Sequence, residues 1–221
     1  MIKQPWDFES DAASLVARMS IDEKASLMSG SDFWHLQPLP DYELGRIMVS
    51  DGPHGLRKQG SSADHMGLNA SIPASCFPTA VTLASSWNRA LIAEVGAAIG
   101  RECQKENVSV LLAPGVNIKR SPLCGRNFEY YSEDPYQAGE MAAAFVGGVQ
   151  STGIGTSVKH FAVNNQEAQR MVVDTLVDRR SLFEIYLLAF EASVTQAQPW
   201  TLMCAYNLFD GTYCSENEDL L

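Results

Sequence analysis

The hydrophobic positions along the chain alternate between short, uniformly apolar runs and longer segments with a helical repeat. The apolar runs predict strands at 46–50, 81–85, 108–113, 156–161 and 201–206. The segments with a helical repeat are 88–106, 135–150 and 179–197. Strands and helices that alternate at this spacing favour right-handed crossovers and a parallel α/β sheet. Because the strands are apolar throughout, we expect both faces of that sheet to be covered.

Two capping boxes and one long loop complete the predicted elements. Ser20 and Glu23 have the spacing of a capping box that opens a short helix. Residues 58–78 are rich in Gly, Ser, Pro and His, which predicts a long loop. Ser215 and Glu218 form a second capping box close to the last residue. A helix of one turn is unstable without packing partners, so we expect the chain to end inside an element, a frayed terminal turn being the alternative.

Polar side chains follow the carboxyl ends of the predicted strands. They are Asp51, Asn117, Arg120, Lys159, His160, Tyr206 and Asn207. In a (β/α)8 barrel that rim carries the substrate chemistry. The doubly wound alternative would have a glycine-rich phosphate-binding turn after an early strand, and the sequence contains no such motif. We therefore predict an incomplete TIM-like (β/α)8 barrel with about five to six of the eight strands present.

Composition excludes several classes of protein. At 46% hydrophobic and 19% charged, the 221 residues are too apolar for a disordered chain and sufficient for a large core. The net charge of −10 argues against nucleic-acid binding, which needs a cationic face. We expect no membrane span, and the lack of a visible signal peptide predicts a cytoplasmic location. The scattered five cysteines and four histidines lack ligand spacing, so we expect neither a disulfide framework nor a metal or other cofactor.

Four segments carry candidate chemistry, namely 50–57, 121–135, 159–170 and 203–211. In the first, Asp51 and Arg57 flank a Gly-Pro turn, and a carboxylate there can accept hydrogen bonds from two neighbouring hydroxyls. A plain turn is the alternative interpretation. In the second, Arg126 lies among aromatic and acidic residues, a combination that suits sugar recognition. The acidic residues of this segment are equally typical of a helix start.

The other two segments place polar side chains at strand ends. Lys159 and His160 are adjacent, and in a regular strand they would point to opposite faces, so a distortion is expected if both reach one pocket. Met203 and Tyr206 close the last predicted strand, where core packing is the alternative interpretation. Lys159 is also compatible with a barrel enzyme that forms a Schiff base with a carbonyl substrate.

Taken in order, these segments resemble glycoside hydrolase family 3, in its β-glucosidase-type branch. The matching fragments are SDGPHGLR (50–57), CFPTAVTLASSWN (76–88), LLAPGVNIKRSPLCGRNFEYYSEDP (111–135), KHFAVNNQE (159–167) and MCAYN (203–207). The resemblance implies retaining hydrolysis of terminal non-reducing β-D-glucosyl or xylosyl residues of a β-glucoside or oligosaccharide. It also implies that residues 1–221 are the N-terminal part of a barrel domain, with a C-terminal α/β sandwich domain absent. The residues expected to line the sugar pocket are Asp51, Arg57, Arg126, Lys159, His160, Met203 and Tyr206.

The resemblance further implies where the catalytic pair lies. The family's nucleophile is an aspartate in a segment resembling V-x-S/T-D-W, and its acid/base carboxylate usually comes from the second domain. We expect both beyond Leu221, because Asp51 and Glu167 match binding or supporting positions. A retaining mechanism needs two carboxyl groups about 5–5.5 Å apart, so the chain alone is expected to be inactive. The alternative is a sugar-binding or regulatory remnant without catalysis. Open sheet edges of an incomplete barrel also predict self-association.

Overall fold

The computed structural model describes residues 9–60 and 68–221, and its centre is a parallel sheet. The strands are β1 (Val49–Asp51), β2 (Val110–Leu112), β3 (Gly155–Phe161), β4 (Asp174–Thr175), β5 (Thr201–Cys204), β6 (Leu208–Phe209) and β7 (Thr212–Tyr213). The central sheet has the order β1-β2-β3-β5, and its neighbouring pairs are all parallel. A small second sheet has the order β4-β6-β7. The carboxyl ends of the central strands therefore meet along one edge.

Helices lie between the strands and supply most of the core. They are α1 (Glu9–Arg18), α2 (Ile21–Ser26), α3 (Ala80–Ala84), α4 (Arg89–Lys105), α5 (Pro135–Gln150), α6 (Arg179–Ser181) and α7 (Leu188–Ala197). A π-helical turn, Leu182–Tyr186, separates the last two, and 3-10 turns lie at Pro40–Tyr42 and Asn127–Glu129. Helix α5 packs between α4 and α7 and against β3. The apolar side chains buried there include Ile92, Ile99, Leu111, Phe145, Val146 and Val158.

The sequence accounts for where the long helices begin. The Asn88 side chain accepts a hydrogen bond from the Leu91 N–H at 3.1 Å and caps α4. The Asp134 carboxylate accepts from the Tyr136 N–H at 2.9 Å, and Pro135 occupies the first position of α5. Both caps satisfy N–H groups that the first turn of a helix leaves without partners. The bounds of α4 and α5 confirm the helices predicted at 88–106 and 135–150.

Several other sequence predictions are also confirmed. The capping box at Ser20 and Glu23 has both of its hydrogen bonds, at 3.2 and 2.8 Å. The strands predicted at 46–50, 108–113, 156–161 and 201–206 occur in register in one sheet, three of them shorter than predicted. The predicted helix 179–197 is present but interrupted by the π-helical turn. The described parts of the predicted loop 58–78 contain no named helix or strand, and residues 61–67 lie outside the description.

Two predictions are wrong. The run 81–85 is not a strand, because Ala80, Leu83 and Ala84 are buried at the spacing of one helix face and form α3. The second capping box opens no helix: residues 215–221 form turns in which the Asn217 side chain accepts from the Asp219 and Leu220 N–H groups. The central sheet of the described chain consequently has four strands rather than the expected five to six. No described helix has both the length and the apolar character that crossing a membrane requires.

Candidate functional site

A cleft of about 460 Å³ lies at the carboxyl ends of β1 and β3. It contains four of the seven side chains that the sequence indicates: Asp51 at the end of β1, Arg57 after the following turn, Arg126 after β2, and Lys159 in β3. The turn after β1 folds back on the strand, because the Arg57 N–H donates to the Asp51 carbonyl at 2.8 Å. The remaining wall is formed largely by Pro53, His54, Ile72, Ser75, Phe128 and Glu129.

The Lys159 ammonium lies between two carboxylates on the floor of the cleft. Its Nζ atom is 3.5 Å from Glu129 Oε2 and 3.9 Å from Asp51 Oδ1. The side chains of Lys159 and Glu129 are each only 4% exposed, whereas Asp51 is 28% exposed. The Arg57 guanidinium binds the other Asp51 oxygen at 2.8 Å from the rim of the cleft. Charged groups thus alternate in sign from the rim to the floor.

Arg126 extends this arrangement toward the loop after β3. Its Nε atom is paired with Glu129 Oε1 and lies 4.0 Å from Glu167 Oε1. Burial acts to lower the pKa of Arg126, but the carboxylates of Glu129 and Glu167 outweigh it, so the pKa is raised overall. Glu129 therefore bridges the two cations of the floor, one on each oxygen.

His160 lies beside the cleft in a buried hydrogen-bond network. Its backbone N–H donates to Asn117 Oδ1 at 2.8 Å, and its carbonyl accepts from Asn117 Nδ2 at 3.0 Å. Its Nδ1 atom is 3.2 Å from the Tyr130 hydroxyl. Burial lowers the pKa of His160 well below its ordinary value, with Arg126, Lys159 and Arg170 acting in the same direction. The ring is therefore neutral near pH 7.

Strand β3 is distorted at Lys159 and His160, where a distortion is expected if both side chains reach one pocket. The pairing of β3 with β5 shifts register between Lys159 and Phe161, and the Lys159–His160 peptide bond is cis. Both residues are buried, with 3% of each residue exposed. Lys159 reaches the cleft, and His160 turns into the Tyr130 network behind it.

Met203 lies on β5, and Tyr206 follows the end of this strand. Met203 is half-buried on β5 and pairs in register with Lys159. The Tyr206 ring is 52% exposed, and the Arg170 guanidinium carbon lies 5.2 Å from its centroid. Neither side chain is among the residues that line the cleft. Their role in sugar binding stays a prediction.

Glu129, His54 and Phe128 belong to the cleft but are missed by reasoning from the sequence. The rings of His54 and Phe128 lie 5.6 Å apart between centroids and form an apolar wall. Neither ring nitrogen of His54 has a hydrogen-bond partner within the described chain, and burial lowers the pKa of this side chain. The signal for Glu129 is its position three residues after Arg126, which suits a local ion pair.

The cleft can hold a polar, neutral molecule. Carboxylates, guanidinium groups and an ammonium offer acceptors and donors side by side, and an aromatic wall offers an apolar face. Within the described residues, no group of three His, Cys, Asp or Glu side chains is placed to hold a metal ion.

Curated relatives match almost the whole chain. The thermostable beta-glucosidase B of Acetivibrio thermocellus is 58% identical over 211 residues, which cover 96% of this chain and 28% of that protein. The exo-alpha-(1->6)-L-arabinopyranosidase of Bifidobacterium longum is 55% identical over 207 residues, which cover 93% of this chain and 27% of the relative. The chain therefore spans little more than a quarter of the length of these relatives.

Solved structures and a family model agree with these matches. Beta-glucosidase 3B of Thermotoga neapolitana in complex with alpha-D-glucose has a TM-score of 0.88 at 44% identity, covering 96% of this chain and 31% of that one. The GH3 beta-glucosidase of Bifidobacterium adolescentis has a TM-score of 0.86 at 52% identity, covering 93% and 29%. The model described as the glycosyl hydrolase family 3 N terminal domain matches residues 61–221. Sequence, fold and family model thus place the chain in glycosyl hydrolase family 3.

Proposed function

We propose that these 221 residues supply the pocket for the terminal non-reducing sugar of a retaining β-glycosidase, with a β-D-glucosyl or xylosyl residue as the ligand. The observation that carries the proposal is the floor of the cleft, where the buried Lys159 ammonium lies 3.5 Å from Glu129 and 3.9 Å from Asp51. A sugar hydroxyl both donates and accepts, so it fits a site where carboxylate and cationic groups are neighbours.

The charge distribution favours a neutral ligand over an ionic one. Each cation in the cleft already has a carboxylate partner: Arg57 has Asp51, and Arg126 and Lys159 share Glu129. A phosphate or carboxylate ligand would have to displace one of these partners, whereas hydroxyls can add to their unused lone pairs and protons. We assign Asp51, Arg57, Arg126 and Lys159 to contacts with the sugar hydroxyls.

We further propose that His160, Met203 and Tyr206 complete the pocket from the ends of β3 and β5. The resemblance assigns all three to the same sugar, and for Met203 the assignment is supported by its pairing in register with Lys159 of the floor. The open central sheet is proposed to be part of an incomplete (β/α)8 barrel. Its parallel order and its similarity to the beta-glucosidase structures support that assignment.

We propose that neither the catalytic nucleophile nor the acid/base is among these residues. A retaining pair needs one free carboxylate to attack and one carboxyl group to give a proton, about 5–5.5 Å apart. Asp51, Glu129 and Glu167 are each bound to at least one cation, which suits anchoring rather than proton transfer. These three carboxylates are therefore binding or supporting groups. The cytoplasmic location stays a prediction.

Glucose and nitrophenyl β-glucoside test this function directly. We expect millimolar glucose to raise the melting temperature of the 221-residue chain, since a ligand that binds the folded state stabilises it. We expect Lys159→Met to abolish that rise and the exposed Lys105→Met to keep it. The chain is expected to show no turnover of nitrophenyl β-glucoside.

Two results would contradict these assignments. An equal glucose effect in the Lys159 and Lys105 variants would exclude the cleft as the sugar site. Turnover of the nitrophenyl glucoside that is lost in Asp51→Asn would make Asp51 a catalytic group and overturn the assignment of the nucleophile.

A further inference from the structure

A continuous chain of side-chain hydrogen bonds connects Glu167 to His160. The Asn164 amide nitrogen is 3.3 Å from Glu167 Oε1 and 3.3 Å from the Tyr130 hydroxyl. The Tyr130 hydroxyl is in turn 3.2 Å from His160 Nδ1. Tyr130, His160 and Asn164 are 0%, 3% and 4% exposed, so water does not compete freely for these groups. The direction of each hydrogen bond can therefore be worked out from the donors and acceptors present.

The first two bonds have only one possible direction. A carboxylate only accepts, and the second oxygen of Glu167 accepts from Arg170 at 2.9 Å. The atom of Asn164 that faces Glu167 is therefore its amide nitrogen. That nitrogen carries two protons, one for Glu167 and one for the Tyr130 oxygen. Tyr130 is consequently an acceptor from Asn164.

The proton of Tyr130 then has a single destination. Burial raises the pKa of Tyr130, so the hydroxyl keeps its proton. Among the described residues, the hydroxyl contacts only the Asn164 nitrogen, which is a donor, and His160 Nδ1. A buried hydroxyl proton without an acceptor is unfavourable, so His160 Nδ1 must offer its lone pair. A neutral imidazole with a lone pair on Nδ1 carries its proton on Nε2.

Asn117 is the competing partner for His160 Nδ1. Its Oδ1 atom lies 3.3 Å from Nδ1 and would accept from an Nδ1–H group. That oxygen already accepts the His160 backbone N–H at 2.8 Å. An Nδ1–H group would also leave the buried Tyr130 proton without an acceptor. The contact with Asn117 thus favours the Nδ1–H tautomer, whereas the hydrogen bonds through Tyr130 favour the Nε2–H tautomer.

We propose that Tyr130 and Asn164 are positioning residues that hold His160 as its Nε2–H tautomer, so that Nε2 donates a hydrogen bond to a sugar oxygen. Nε2 makes no hydrogen bond to any of the described residues and so keeps its proton for a ligand. Neutral His160 thereby acts as a donor of fixed orientation next to Lys159. The contact with sugar rests on the proposed function, whereas the tautomer does not.

The tautomer is measurable by ¹⁵N NMR of the imidazole nitrogens. The chain has four histidines, so the His160 signals can be assigned by comparison with His160→Gln. The spectra are recorded in solution, or by magic-angle spinning for a self-associated sample. We expect the protonated nitrogen to be Nε2 in the unmodified chain. Tyr130→Phe should shift the proton toward Nδ1, because Asn117 Oδ1 is then the remaining partner.

Tyr131→Phe is the matched control. Tyr131 is adjacent and 4% exposed, and among the described residues it makes no hydrogen bond or ring contact with His160, so its loss should leave the tautomer unchanged. Asn164→Ala should shift the tautomer less than Tyr130→Phe, since Tyr130 can still donate without its second partner. Protonation of Nδ1 in the unmodified chain, or no difference between the two tyrosine variants, would overturn the proposal.

Glucose titration of the same samples tests the sugar contact. If the Nε2–H form falls to about a tenth of the population in Tyr130→Phe, glucose affinity should fall about tenfold. An Nε2–H tautomer together with no glucose binding would refute the proposed function and leave the assignment of Tyr130 and Asn164 intact. Unchanged glucose affinity in a variant whose tautomer has shifted would refute the donor role of Nε2.

Discussion

The carboxylate of Glu129 is bound by a cation on each oxygen, and this makes it the central charge of the cleft. It pairs with Arg126 and Lys159 while being only 4% exposed. Removing one member of a buried charged network leaves the others without compensation. Glu129 therefore holds the two cations that we assign to the sugar, without needing to touch the sugar itself.

We expect Glu129→Gln to lower the free energy of unfolding by about 3 kcal/mol and to weaken glucose binding. Because glutamine has nearly the size of glutamate, the loss of stability measures the contribution of the Glu129 charge. Glu184→Gln is the control: its pair with Arg180 is exposed, at 61% and 82%, and should change stability by less than about 0.5 kcal/mol. Urea unfolding measures both. Equal effects of the two variants would contradict the assignment of Glu129.

Buried neutral His160 makes stability depend on pH. In the unfolded chain its pKa returns to about 6.5, so as pH falls below that value the unfolded state binds a proton that the folded state does not. Stability should therefore be complete above about pH 6.5 and fall below it, by up to about 1.4 kcal/mol per pH unit. His54, whose pKa burial also lowers, adds in the same direction.

The measurement is the urea midpoint between about pH 7.5 and 5, with His160→Gln as the comparison. This pH range lies above the range in which an exposed carboxylate such as Asp32 affects stability. The pKa of Asp32 is about 2 in the folded chain, and its stabilising effect is lost only as the pH falls below 3.8, its pKa in the unfolded chain. If the urea midpoint of His160→Gln depends on pH as steeply as that of the unmodified chain, His160 is not buried as a neutral group.

The sequence predicts some of these residues better than others, for a physical reason. The local sequence pattern predicts turns and strand ends, and it therefore indicates the residues next to them, namely Asp51, Arg57 and Lys159. The pairing of Glu129 with Lys159 depends on the parallel contact of β2 with β3, which brings distant positions together. A local pattern carries no information about that contact.

At the scale of elements, helices with caps and long apolar stripes are predictable, whereas a short apolar run predicts a strand correctly in four of five cases and wrongly in one. Asn88 and Asp134 mark the starts of α4 and α5 through hydrogen bonds within a few residues. The run 81–85 is too short for its period to distinguish a strand from the helix α3 that it forms. The π-helical turn Leu182–Tyr186 has no marker in the sequence pattern.

The close packing of α5 on α4 depends on Gly148. A Cβ atom at this position would lie 2.2 Å from the Ala93 carbonyl oxygen of α4, whereas one at the adjacent Gly147 would meet nothing within 4 Å. We expect Gly148→Ala to lower the free energy of unfolding by about 2 kcal/mol through forced separation of the helices. Gly147→Ala should raise it by about 0.5–1 kcal/mol, because alanine favours helix. Urea unfolding of both variants measures the difference, and two stabilised variants would exclude this close approach.

At the scale of the whole molecule, the two outer strands of the central sheet differ within the described residues. The outer side of β1 makes backbone hydrogen bonds with Trp34 and Arg57, whereas β5 pairs with β3 alone. In the order β1-β2-β3-β5, strand β5 is terminal, and its Leu202 side chain is 45% exposed. An edge strand offers unpaired N–H and C=O groups to another chain, and an exposed apolar residue on it favours that contact. Charged residues, especially lysine, are the usual protection of such edges, and β5 (TLMC) has none.

We therefore propose that the 221-residue chain self-associates through β5, and we expect Leu202→Lys to weaken that association. Loss of one buried leucine contact removes about 1.5–3 kcal/mol, which corresponds to at least about a tenfold weaker association. Ile21→Lys is the control, because Ile21 is 78% exposed and lies on helix α2, which is not part of the central sheet. Sedimentation over a range of concentrations measures the association of each variant. If the chain stays monomeric at every concentration, or if both lysine substitutions weaken the association equally, β5 is not the contact.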